Sequence, residues 1–249
     1  MELDWILQTE PAGFPIAAGL FTVGLAVVHL LVGRWNDPGS ALRRRLLSVA
    51  GGATVAYVFV LLLPEVSEAA LLVAERRDDA LLAEQAVYVM ALSGFVAFYG
   101  VEAIVSRRLG EDVEASSIVF WGHVAVFALY SGLIGYLLFH QEVDGVANLF
   151  FYALAMALHF GVTDYGLRRH HGDQFDRVGR WLLVGATLAG GVLGAIVEVD
   201  GLALSMLFGF VAGAVILNVV KEELPDVDQS RFAAFVVGAV VYSVVLLLA

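Results

Sequence analysis

Eight apolar runs, each long enough to cross the ~30 Å hydrocarbon core of a bilayer, follow one another along this chain with little between them. They lie at about 13–33, 46–64, 83–106, 117–139, 146–167, 180–198, 201–220 and 232–249. Inside lipid every backbone N–H and C=O must be satisfied internally, so runs of this length predict helices. Of the 249 residues 60% are hydrophobic, well above the roughly 45–50% of a soluble domain. The expected fold is therefore all-α. It is one polytopic domain over 1–249 with eight transmembrane helices, seated in the cytoplasmic membrane with the lipid bilayer as its first partner. Residues 198–201 alone separate runs six and seven, the least marked boundary. Residues 1–12 are polar and acidic and lack a basic n-region, so no cleaved signal peptide is expected.

The basic residues predict an orientation. Twelve of the fourteen fall after runs one, three, five and seven: Arg34, Arg43, Arg44, Arg45, Arg107, Arg108, Arg168, Arg169, Arg177, Arg180, Lys221 and Arg231. Arg76 and Arg77 fall on the other side. Loops rich in Lys and Arg stay cytoplasmic, which puts both termini outside. Trp35, Trp121 and Trp181 sit near the same cytoplasmic ends, as interface anchors do. Of the 25 carboxylates, thirteen are then outside against two arginines, so the net −11 lies on the outer face. Such a face attracts cations within a screening length of ~8 Å. It is equally the solvated surface of a protein from a salty milieu. No basic patch offers to neutralise phosphates, so no nucleic-acid partner is expected. With no cysteine, disulfides and thiolate metal sites are excluded. There is no Gly-rich phosphate loop, nucleophile elbow or HExxH sequence, so no enzyme is expected.

An internal repeat is visible. Residues 51–65 read GGATVAYVFVLLLPE and residues 212–226 read AGAVILNVVKEELPD. Aligned on Pro64 and Pro225, Gly52 falls on Gly213, and a carboxylate follows each proline. Four runs lie between the two segments, so they cross in opposite directions. Helices 1–3 and 6–8 are then expected to be inverted copies around helices 4 and 5, an arrangement typical of secondary transporters. Gly190 with Gly194, and Gly209 with Gly213, have the spacing that lets helix backbones approach.

The chain resembles the ZIP (zinc/iron-regulated-type) family of divalent-metal transporters. The likeness rests on LLSVAGGATVAYVFVLLLPE (46–65), YVMALSGFVAFYGVEAIVSR (88–107), the histidine-bearing fifth run and LALSMLFGFVAGAVILNVVKEELPD (202–226). Helices two and seven similarly end in a Leu-Pro-Glu-like element, and Gly94-Phe95 with Glu102 resembles a helix-three pattern. The resemblance implies eight helices in a 3+2+3 inverted arrangement. It also implies metal ligands on helices four and five, in motifs like His-Asn-x-x-Asp-Gly and His-Glu-x-Pro-His. Here Phe127, Ala128 and Ser131 stand at the helix-four positions. On helix five His159 matches the first histidine, while Phe160, Val162 and Thr163 replace the rest.

Polar groups at membrane depth are expensive and mark function by default. His123 lies ~9 Å and His159 ~12 Å from the cytoplasmic helix ends at 1.5 Å per residue. Asp164 lies nearer that end. Antiparallel neighbours could gather His123, His159 and Asp164 around one point, a set that suits Zn²⁺ or a similar ion or a proton relay. Tyr130, Ser131, Thr163 and Asn218 are the expected lining residues. Against this, Asp164 stands i,i+4 to Arg168, a favoured helical ion pair. His29 reads as structural, Lys221 as an interfacial charge, and His170, His171, Asp173 and Asp176 as a solvated loop. The expectation is a secondary transporter of a divalent metal cation, or a related small solute, working through a degenerate site on helices four and five. A bound divalent metal such as Zn²⁺ is the ligand to look for, and a homo-oligomer is compatible with it. The alternative is a sensor or scaffold of ZIP-like fold that transports nothing.

Overall fold

The computed structural model describes residues 14–32, 41–75, 80–108, 113–140, 145–224 and 232–248. The N-terminal stretch, Arg34, Trp35, Arg76, Arg77, Arg231, Pro225 and Asp226 lie outside them. Among the described residues all regular structure is helical. Six segments are long and apolar enough to cross a membrane: Phe14–Leu31, Arg44–Glu75, Gln85–Ile104, Val119–Leu137, Val146–Ile196 and Gly201–Lys221. Phe232–Leu248 is a shorter apolar helix.

The helical segments are α1 (Phe14–Val32), α2 (41–75), α3 (Ala80–Arg108), α4 (Val113–Leu137), α5 (Val146–Gln174), α6 (Arg180–Ile196), α7 (201–223) and α8 (Phe232–Leu248). The 51 residues of Val146–Ile196 do not form one rod. Gly172 takes φ 51° and ψ −129°, a conformation that only glycine adopts readily, and a π-turn at Phe175–Gly179 follows before α6 begins. Helix α5 thus runs past the expected end at 167, and His170 and His171 are helical rather than loop residues. At the other end of α6 the chain turns within four residues. The Asp200 side chain then caps α7 by accepting from the amides of Leu202 (3.0 Å) and Ala203 (3.1 Å), so the least marked boundary carries its own start signal.

Helices α2 and α7 are each interrupted by a π-turn, Val58–Leu62 and Val219–Glu223. Each begins at the same distance ahead of its proline, Pro64 or Pro225. In α2 the cause is local. Pro64 has no N–H, and its ring would crowd the carbonyl four residues back. The wider turn relieves this, and the Leu63 amide bonds the Val58 carbonyl instead.

Named contacts set the helix directions. Thr22 and His29 of α1 meet Gly191 and Thr187 of α6, so these two are antiparallel. Phe21 and His29 meet Phe150 and Asp164 of α5, so α1 and α5 are parallel, and the chain reverses at Gly172. Tyr57 and Glu65 of α2 meet Tyr152 and Asn148, antiparallel to α5. Helix α4 is antiparallel to α5 through Tyr130–His159 and His123–His171, and α3 is antiparallel to α4 through Phe98–Tyr130 and Glu102–His123.

The closest pairings join α2 to α8, α3 to α7 and α4 to α6. Each is seated on reciprocal glycines. A Cβ on Gly52 would fall on the Phe235 carbonyl oxygen and one on Gly238 on that of Val49. Gly94 and Gly213 stand likewise to Phe210 and Ala91, and Gly135 and Gly190 to Thr187 and Gly132. Without strong apolar drive between helices in lipid, such close backbone approach is what holds them. Helix α1 adds to the α4–α6 pair and α5, and α2 and α3 pack together. Counting α5 with α1, although it also packs on α2 and the α7 π-turn, two blocks result, α1, α4, α5 and α6 in one, α2, α3, α7 and α8 in the other. Leu20, Val27, Leu92, Val96, Val237 and Val241 face outward, whereas His29, Glu65, Glu102, His123, His159 and Asp164 are buried. That apolar-out, polar-in distribution is the one a bilayer selects.

Candidate functional site

The polar interior follows α5. Asn148, Tyr152, His159 and Thr163 are spaced by four, seven and four residues, which places them along one face of a 3.6-residue helix. That face looks at α2 and α4. Tyr152, His159 and Thr163 are buried, His159 completely. His159 Nε2 is 3.0 Å from the Tyr130 hydroxyl, the two rings edge to face, with Ser131 buried beside Tyr130. Thr163 Oγ1 and Asn218 Nδ2 have no hydrogen-bond partner among the described residues, and neither do the hydroxyls of Tyr57 and Tyr152. Asn218 is the last residue before the α7 π-turn, as Tyr57 is the last before that of α2. The two correspond in the aligned repeat.

Asp164 looks elsewhere. It is five residues past His159, ~140° further round the helix at ~100° per residue, and so it cannot share a point with it. Its Oδ2 is 2.7 Å from His29 Nδ1, both side chains about 1% exposed. His29 Nε2 lies 3.2 Å from Thr187 Oγ1, whose own hydroxyl donates to the Leu183 carbonyl at 2.9 Å. A hydroxyl has one hydrogen, so Nε2–H must donate to Thr187. One further proton then lies between Nδ1 and Asp164, and the pair carries no net charge wherever that proton sits. The Asp164–Arg168 pair expected from helix spacing is not formed. Arg168 instead bonds Asp176 across the π-turn at 3.0 Å. His29 is the partner that Asp164 requires.

His123 belongs to a third set. Its Nε2 donates to Glu102 Oε1 at 3.0 Å, and its Nδ1 is 3.0 Å from His171 Nε2. Lys221 pairs with Glu102. Lys221 is therefore part of an ion pair that continues, through Glu102 and His123, to His171. This chain joins α7 and α3 to α4 and α5, and so links the two blocks at the end where the arginines gather. At the opposite end Asn148 Nδ2 donates to Glu65 Oε1 at 3.2 Å, a second link between blocks.

His123, His159 and Asp164 thus fall into three separate hydrogen-bonded sets instead of surrounding one point. Among the described residues no three His, Asp or Glu side chains are arranged to hold a metal ion. Tyr57 carries no signal of its own in the sequence, and the roles of His29 beside Asp164 and of His171 beside His123 come only from packing. Glu102 was marked only through the Gly94-Phe95 pattern. The one available signal for Glu65 was its place directly after Pro64 in the repeat. The sequence matches no family model and no curated protein.

Proposed function

We propose that this protein is a secondary transporter of a small cation. Its cargo would be of the divalent class that the ZIP resemblance implies, moving along the polar face of α5 where the two blocks meet. The observation that carries this reading is the line of buried polar groups on that face, where the Tyr152 and Thr163 hydroxyls have no partner among the described residues. A purely structural core has no use for an unsatisfied hydroxyl, which costs about 1–3 kcal/mol each. On this reading the eight helical segments are eight crossings. Their alternating directions and the π-turns at matching distances from Pro64 and Pro225 support the inverted 3+2+3 arrangement. The arginine-rich end is the cytoplasmic one, with both termini outside. The block containing α4 and α5 would shift against the block containing α2 and α7. The Glu65–Asn148 and Glu102–His123 links would open at opposite ends in turn. His159 and Tyr130 stand midway and would supply one nitrogen and one oxygen to the passing ion, with Thr163, Asn218 and Ser131 lining the way.

The test is uptake of Zn²⁺, Mn²⁺, Fe²⁺ and Cd²⁺ into liposomes holding the purified protein. Uptake that falls at least about tenfold in His159→Ala, as expected when a ligand bond is lost, supports the reading. Absence of uptake for every ion by folded protein overturns it. The lack of three converging ligands among the described residues favours the second reading, a ZIP-like membrane sensor or scaffold. That null uptake result is what the second reading expects.

A further inference from the structure

Two imidazoles meet nitrogen to nitrogen at the arginine-rich end. His123 Nδ1 on α4 stands 3.0 Å from His171 Nε2 on α5. A bond of this kind holds one hydrogen. The other side of His123 decides which ring supplies it. Its Nε2 faces the Glu102 carboxylate at 3.0 Å, and an ionised carboxylate only accepts. Nε2 therefore keeps its hydrogen, and Nδ1 of neutral His123 accepts from His171 Nε2–H.

The same geometry suits one more proton. With His123 charged, its Nδ1–H donates and His171 Nε2 accepts, His171 then carrying its own hydrogen on Nδ1. The heavy atoms keep their places and no hydrogen bond is lost. A route follows from the bonds already present. A proton from water binds His171 Nδ1, the Nε2 proton of His171 passes to His123 Nδ1, and His171 is left neutral in its other tautomer. His171 is partly exposed and can meet water, whereas His123 is 3% exposed and is reached through it. A glutamine at 123 could bond Glu102 as well, but it could not take up the charge.

The charged and titratable groups that the described side chains bring against this pair are Glu102 from α3, Lys221 from α7 and His170 beside His171 on α5. Glu102 favours a charge on His123. Lys221 opposes it from the other carboxylate oxygen, but its side chain is 35% exposed, so water screens it. His170 is exposed and screened in the same way.

We propose that His123 is a proton-binding site, loaded from the arginine-rich end through His171, and that its charging clamps α4 onto α3. A charged donor makes the Glu102–His123 bond roughly twice as strong as a neutral one. Acid therefore holds the seam shut at this end, and deprotonation frees it. The clamp rests on the two-block reading above; the proton site does not.

Nitrogen NMR of the full chain with isotope-labelled histidine, in detergent, reads both tautomer and charge, and single substitutions assign the six rings. Between about pH 8 and pH 5, the span over which histidine changes charge, His123 should pass from neutral Nε2–H to imidazolium. His171 should exchange Nε2–H for Nδ1–H in the same step. Glu102→Gln, which keeps an acceptor, should move that step toward acid by about one pH unit or more. For the clamp, spin labels on Arg107→Cys of α3 and Arg177→Cys of the π-turn before α6, both exposed, report the distance between the blocks. Its distribution should be narrower at the acid end of that range than at the alkaline end, and His123→Gln should keep one distribution throughout. A His123 ring that holds one charge state across the range overturns the site, as does a His171 that keeps its tautomer while His123 charges. Label distances that ignore pH in protein with His123 intact overturn the clamp. Neither readout requires transport, so protein that takes up no metal still tests both.

Discussion

The interior of this protein is decided residue by residue, by which buried polar groups find partners. Asp164 and His29 show the stakes. Asp164→Ala leaves an imidazole that had a buried acid against it, and breaking a buried pair from one side costs about 3–5 kcal/mol. Arg168→Ala removes a pair whose members are 26% and 21% exposed, where the loss is roughly 1 kcal/mol or less. Thermal unfolding in detergent should show a large drop for the first and a small one for the second; the reverse order would restore the local Asp164–Arg168 pair. Asp164 also shows what a sequence discloses. That it needed a partner was legible, because a carboxylate sits inside an apolar run. Helix spacing named Arg168, since i,i+4 neighbours are visible in one dimension. The true partner is on α1, far off in the chain, and only packing brings it near. The five-residue step from His159 to Asp164 places the two on different faces of α5, so helix geometry alone separates them.

At the scale of helices, most was legible. The apolar runs fall on helical segments, six of the spans being long and apolar enough to cross a membrane, and the spaced glycines sit where backbones touch. Gly213→Leu should therefore destabilise strongly, by about 3 kcal/mol or more, since its Cβ already meets the Ala91 backbone and overpacking alone costs about 1–3 kcal/mol. Gly24→Leu, with nothing within 4 Å of its Cβ, should not; yield of monodisperse protein and melting temperature separate the two. What the runs do not disclose is the π-turns, because hydropathy is blind to one extra residue in a helix. They make a specific expectation. Removing Phe59, which is exposed, together with Pro64→Ala lets α2 close into regular α-helix with Glu65 still facing Asn148. Removing exposed Leu92 from the regular helix α3 rotates everything beyond it, buried Phe98 and Glu102 included, by ~100°. The first variant should fold and keep near-normal stability, and the second should lose it.

For the molecule as a whole, the division into two blocks is the testable claim. The chain has no cysteine, so paired cysteines report cleanly. Phe98 of α3 and Phe127 of α4 have ring centroids 5.9 Å apart across the seam. Phe21 of α1 and Phe150 of α5 have theirs 6.0 Å apart within one block. If the blocks move against each other, bridging cysteines at the first pair with a short thiol-reactive linker should stop uptake, while the second pair should tolerate it. Equal effects would argue against relative motion of these blocks. The pairings that build each block also set an order of events during synthesis. Helices α2 and α3 leave the ribosome early, but the backbones they are shaped to receive, α8 and α7, come last. Until then the bare glycine seats at Gly52 and Gly94 face lipid or each other. Helix α8, seated by Gly238 on Val49, gives α2 its closest partner, so that part of the block is completed only after α8 has been inserted.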